Sequence, residues 1–108
     1  MSESTVKAAK PPVTQGVFQY FPRALLEIAK VSAFGAAKHN VPMSEKGFLR
    51  PEYTEVMYED AIGRHTLALA IEGEVNAADG DLYHRAQRAW NALASLERFL
   101  IRQEQEKK

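Results

Sequence analysis

The chain contains no cysteine in its 108 residues. Disulfide scaffolds and cysteine-held zinc are therefore excluded. It also lacks net charge: 14 basic residues balance 14 acidic ones. A general electrostatic grip on nucleic acid is not expected from such a balance, and any basic groove must be local. No apolar run is long enough to span a bilayer, and the first residues (MSESTVKAAK) carry no signal-type apolar block. The expectation is a soluble, cytoplasmic protein with no membrane or nucleic-acid partner. Phosphate-binding glycine loops, paired-glycine dinucleotide fingerprints, nucleophile elbows and kinase signatures are missing as well. The 3 histidines do not fall into a zinc-protease spacing. An enzymatic reading narrows to metal-assisted phosphate chemistry.

What is present is helical periodicity. Residues 1–16 are polar, with a Pro11-Pro12 pair that resists helix and sheet, and predict an extended or disordered arm. The domain proper is expected over 17–104, followed by a solvated tail at 105–108. A first helix is predicted from Pro22 to Lys38, with Leu25, Ala29, Ser32 and Ala36 on one face. Asn40 and Pro42 stop it, and residues 40–51 read as a loop without regular structure. A second helix follows from about Glu52 to Ile71 or Glu72, its inner side traced by Met57, Ala61, Ile62, His65 and Leu69. Gly73 ends it. A third helix runs from about Leu82 to Gln103, with Ala86, Ala89, Trp90, Leu93, Leu96 and Leu100 as its apolar stripe. No strand pattern stands out. A domain this small buries a modest share of its surface, so its core is expected to be completed by a partner subunit.

The polar residues between the second and third helices carry the candidate chemistry. His65 and Glu72 are two helical turns apart and share a face, as do His84 and Asn91. Glu72, Glu74, Asp79 and Asp81 cluster at the junction. Magnesium-type ions need oxygen ligands, and two or three carboxylates suffice when phosphates complete the shell. The plainer reading is that Glu74 is solvated and that Asp79 or Asp81 only caps the third helix. Arg64 reads as a phosphate fork or a surface residue, and His65 as a core histidine or a base. His84, at a helix start, is expected neutral. Asn91 either holds a loop or reads a base or sugar edge. Trp90 reads chiefly as core. Lys38 suits a helix C-terminus or a phosphate.

At these residues the chain resembles the phage dATP/dGTP diphosphohydrolases, a branch of the MazG-like all-α nucleotide pyrophosphohydrolases. The likeness rests on Pro22-Arg23-Ala24-Leu25, Val31 to Lys38, Glu45-Lys46-Gly47, Tyr58 to Ala61, Arg64-His65, Gly73-Glu74, Leu82, His84, Ala86, Asn91-Ala92 and Leu96-Glu97. It implies a MazG-like bundle of three to four helices, completed by homo-oligomerisation as a dimer or higher. The activity it implies is Mg²⁺- or Mn²⁺-dependent cleavage of dATP or dGTP to the monophosphate and pyrophosphate. Carried onto this sequence, Glu74 and Asp79 would hold the metal, with Glu27, Glu72 or Asp81. Glu74, His65 and His84 would be catalytic, Lys38 and Arg64 would neutralise phosphate charge, and Phe34, Trp90 and Asn91 would face the base. The sequence departs from the family pattern where Ala77 replaces an Asp, Asp79 a Glu, Asp81 a Gly and Gln87 a His. Further departures are Met43-Ser44 for Asn-Trp and His39 for Tyr. The alternative these departures leave open is a catalytically impaired protein that captures a nucleotide or a nucleotide-derived signal on the same scaffold.

Overall fold

The computed structural model describes residues 9–107. The first eight residues of the expected arm lie outside this range. Its end is not extended: Thr14–Phe18 wind into one wide helical turn that leads to the first long helix. That helix, α1 (Pro22–His39), opens on Pro22, whose fixed φ suits a first helical position. It closes on Asn40 in a left-handed conformation, φ 53°, with its N–H on the last carbonyls.

The following loop is more ordered than its composition suggests. Met43–Glu45 and Gly47–Leu49 form two short 3-10 turns. Helix α2 (Glu55–Ile71) begins three residues later than expected, because the Thr54 hydroxyl accepts from the Met57 N–H and sets the N-cap. Helix α3 (His84–Glu106) likewise starts later and runs further than expected. Neither Asp79 nor Asp81 caps it; Tyr83 holds the N-cap position without a side-chain bond. Between α2 and α3 a minimal antiparallel ladder, which the sequence did not suggest, pairs β1 (Val75–Asn76) with β2 (Leu82–Tyr83). Gly80 makes the return possible. Its φ is +64°, and a Cβ there would sit 3.0 Å from the Phe34 ring.

The α2–α3 pair forms the most extensive packing, with α1 laid mainly against α3. The two helices run antiparallel. The start of α3 meets the end of α2 through His84 and His65, and its later turns meet the start of α2 through Arg102 and Glu55. Arg98 fastens the intervening loop, its guanidinium donating to the carbonyls of Phe48, Arg50 and Tyr53.

The core has an unusual composition. The buried apolar residues are Val31, Ala61, Ala86 and Ala94, and the buried polar ones are Asn76, His84, Gln87, Asn91 and Ser95. Half of the expected apolar stripe of α3 is not covered within the chain: Leu93, Leu96 and Leu100 are about half exposed. The interior of the chain is thus centred on polar groups at the hinge, and much of its apolar surface faces outward.

Candidate functional site

Burying polar side chains costs free energy unless they are hydrogen-bonded, and at the hinge they are. Asn76 Nδ2 donates to Gln87 Oε1 at 2.9 Å and to Asp79 Oδ2 at 3.3 Å. Gln87 Nε2 donates to the same Asp79 oxygen at 2.9 Å. The Lys38 ammonium donates to Asp79 Oδ1 at 3.1 Å from the end of α1. Partial burial works against ionisation of Asp79, but the bonds from Gln87 and Lys38 outweigh it and hold the carboxyl below its ordinary range. Asn91 donates from Nδ2 to the Gln87 carbonyl of its own helix at 2.8 Å.

Beside this network the two histidines meet. Nδ1 of His65 lies 2.9 Å from Nδ1 of His84, and Nε2 of His84 lies 3.2 Å from Glu72 Oε1. His84 is almost fully buried, at 3% exposure. Burial, the neighbouring His84 and the Arg64 charge push the His65 pKa below its ordinary value.

Of these groups Lys38, His65, Asp79, Gln87 and Asn91 line a cleft of about 1080 Å³ between the helices. Lys38, Arg64, His65 and Asp79 line one end of it, Trp90 the middle, and Leu93, Leu96 and Leu100 the other. From Gln87 to Leu100 the rise along α3 is roughly 20 Å, so the cleft grades from polar to apolar along one helix. Trp90 is a strut: its indole N–H donates to Ser32 Oγ at 2.8 Å, and its ring meets Phe48 and Tyr58 edge-on. Phe34 lines the cleft and also packs against Gly80.

The carboxylates expected to share a metal are not gathered within this chain. Glu74 turns away from Asp79 and is clasped by Arg85 through bonds of 2.9–3.1 Å. The guanidinium holds its carboxyl below the usual carboxylate range. Glu27, paired with Lys30 at 2.7 Å, lines a smaller pocket with Glu74 on a separate face. Glu72 serves His84, and Asp81 is an exposed turn residue at φ 62°. Four of the five candidate acids therefore each have a basic partner. Among the described residues no three His, Asp or Glu side chains come together as a metal site. The side chains present do not fit a protein-held Mg²⁺ or Mn²⁺ within one protomer.

Sequence reasoning passed over Asn76, Arg85 and Arg98, and placed Ser32 on a helical face without assigning it a partner. Arg98 carried a legible signal. It lies seven residues after Asn91 and four after Ala94, which puts it on the buried stripe of α3. Periodicity placed Ser32 on one face of its helix but could not name Trp90 as its partner, and Arg85 had no local signal, since its role depends on which long-range partner arrives.

Fold and site together define an all-α protein whose cleft carries Lys38, Arg64 and His65 at one end. Among the described residues no helix is long and apolar enough to cross a membrane. The family model described as dATP/dGTP diphosphohydrolase, N-terminal, matches residues 2–108, and the chain belongs to that family. No curated protein and no solved structure matches it.

Proposed function

We propose that the protein hydrolyses a purine deoxynucleoside triphosphate, dATP or dGTP, to the monophosphate and pyrophosphate in the α1–α2–α3 cleft. The observation that carries this reading is the polar end of the cleft, where Lys38 and Arg64 stand beside His65. Arg64 can engage a polyphosphate as a fork, and Lys38, whose exposed ammonium is held by Asp79 at 3.1 Å, can add its charge on exchanging that carboxylate for a phosphate. The apolar stretch beyond, around Trp90, offers a surface for a purine. Family membership supports the substrate class. Mg²⁺ or Mn²⁺ enters with the triphosphate, because the carboxylates of this chain are already paired.

A specific observation favours a second reading. With Ala77 at the expected acid and Glu74 held by Arg85, the protein would capture the nucleotide without turning it over. One experiment separates the two. The protein is incubated with each deoxynucleoside and ribonucleoside triphosphate plus Mg²⁺ or Mn²⁺, and monophosphate and pyrophosphate are measured beside calorimetric binding. Turnover of dATP or dGTP that Arg64→Ala reduces at least tenfold supports the hydrolase. Stoichiometric binding with no product supports capture, and neither signal refutes both.

We also propose that the half-exposed apolar end of the cleft is covered by a second copy of the chain. The core of one protomer contains no fully buried large side chain among the described residues, as expected of a fold completed by its partner.

A further inference from the structure

We propose that Arg98 is a positioning residue for the nucleotide base: from behind the cleft it holds the segment between α1 and α2 in place, and through Phe48 it sets the aromatic surface on which a purine stacks. This deepens the reading of the cleft as a nucleotide site and rests on that reading.

One wall of the cleft is formed by that segment, with Met43, Lys46, Phe48, Leu49, Arg50 and Tyr53 among the lining residues. Its own backbone bonds are local and join residues three apart, such as Leu49 to Lys46 and Arg50 to Gly47. Turns of this kind give a segment its shape but do not attach it to the rest of the fold. Among the described residues, the hydrogen bonds that attach residues 43–53 to the helices come from two side chains. Arg98 donates from Nη1 to the carbonyls of Phe48 at 2.8 Å and Arg50 at 3.3 Å, and from Nη2 to that of Tyr53. The Tyr58 hydroxyl donates to the same Phe48 carbonyl at 2.9 Å.

Phe48 is therefore held twice through its carbonyl. Its ring meets Trp90 edge-on with centroids 6.1 Å apart, and Tyr58 meets Trp90 at the same separation. Trp90 and Tyr58 sit on long helices, and Trp90 is tied to α1 through Ser32. Phe48 is the one ring of the three carried by a short turn, so its place depends on how that turn is attached.

Arg98 does not line the cleft, and its side chain is only 14% exposed. Taking a guanidinium out of water is costly, and an apolar side chain would fill the space at lower cost. Glu55 offsets the charge from 3.6 Å, but Arg98 Nε is buried without a hydrogen-bond partner. What the arginine supplies is geometry. A planar fork fixes three carbonyls relative to one another, whereas a lysine ammonium is a point charge on a flexible stem.

The test compares a ligand that has a base with one that has none, on the full chain. Arg98→Lys should raise KM for dGTP about tenfold, the scale of one base-stacking contact, with little change in kcat. Inhibition by inorganic tripolyphosphate, which engages only the phosphate end, should be unchanged. Phe48→Ala should give the same pattern, and adding Arg98→Lys to it should weaken dGTP no further, because Arg98 acts through Phe48. Tyr58→Phe keeps the ring and removes one of the two donors, so KM should rise in the same direction by less. If the wild type binds dGTP without product, the same comparison is read as calorimetric Kd. Wild-type values for dGTP in both Arg98→Lys and Tyr58→Phe overturn the proposal while leaving the hydrolase standing. Parallel weakening of dGTP and tripolyphosphate, or additive losses in the double variant, overturns it too and makes Arg98 a general support of the fold. Neither turnover nor binding of dGTP by the wild type removes the nucleotide reading and the role of Arg98 together.

Discussion

The two ends of the cleft differ in how completely one chain satisfies them. At the hinge, Asn76, Asp79, His84 and Gln87 are bonded to one another or to near neighbours, and three of the four are buried. At the far end, Leu93, Leu96, Phe99 and Leu100 are each more than 40% exposed. The contrast separates chemistry from assembly. Polar groups that must hold a fixed geometry are supported from within the protomer, where preorganisation does not depend on concentration. The apolar end is where we propose a second copy packs, since apolar burial is non-directional and tolerant of small shifts.

The largest effect should come from breaking the apolar end. Leu93→Asp combined with Leu96→Asp puts two charges where we propose a second copy packs. Each leucine fully buried there contributes about 1.5–3 kcal/mol, so the double variant should shift association by several orders of magnitude. Light scattering after size exclusion should give an oligomer for the wild type and the 12.1 kDa monomer for the variant. A wild type that is already monomeric at high micromolar concentration would dissolve the contrast, since the exposed leucines would then have no partner copy.

The hinge should be broken next, by Gln87→Leu. The leucine keeps much of the volume but removes both the acceptor for Asn76 and the donor to Asp79. Asn76 keeps only its longer bond to Asp79 at 3.3 Å, and losing a partner of a buried amide costs about 1–3 kcal/mol. A fall in Tm that Asn76→Leu in the same chain partly reverses would sharpen the picture of one coupled network. Additive losses from the two changes would show instead that Asn76 and Gln87 act separately.

Particular residues show what the sequence could and could not disclose. Helix α1 was legible because Pro22 and Asn40 are local signals that need no partner. His65 and His84 were legible as candidates from their two-turn offsets to other polar residues. Their direct contact was not, because it depends on the angle at which α3 leaves the β1–β2 turn. Glu74 illustrates the converse. Its position beside the acidic turn suggested convergence with Asp79, but Glu74 lies just before β1, where its carboxylate meets Arg85, while Asn76 is buried against Gln87 and Asp79. Which partner each takes depends on long-range packing that the local sequence does not encode. The apolar stripe of α3 was legible as a stripe, but periodicity cannot say whether it meets its own chain or another.

The smallest effect, and the one confined to the hinge, is the response to acid. The folded pKa of His65 lies below its ordinary value, with burial the main cause. As pH falls through about 6.5, the unfolded chain takes up a proton at this residue that the folded chain takes up only at lower pH. The unfolded state then binds more protons, so stability falls on acidification through that window. Asp79 acts in the same direction further down. Its folded carboxyl is lowered, so its stabilisation is present above about pH 3.9 and is lost as pH drops through the folded value. Melting curves should therefore show Tm declining from pH 7.5 to pH 5.5, and His65→Gln should flatten that decline without affecting the loss near pH 3–4. An equally steep decline in the variant would place the acid response outside the histidine pair. If the apolar end dominated the acid response, the Leu93→Asp, Leu96→Asp protein would instead be the one whose slope changes.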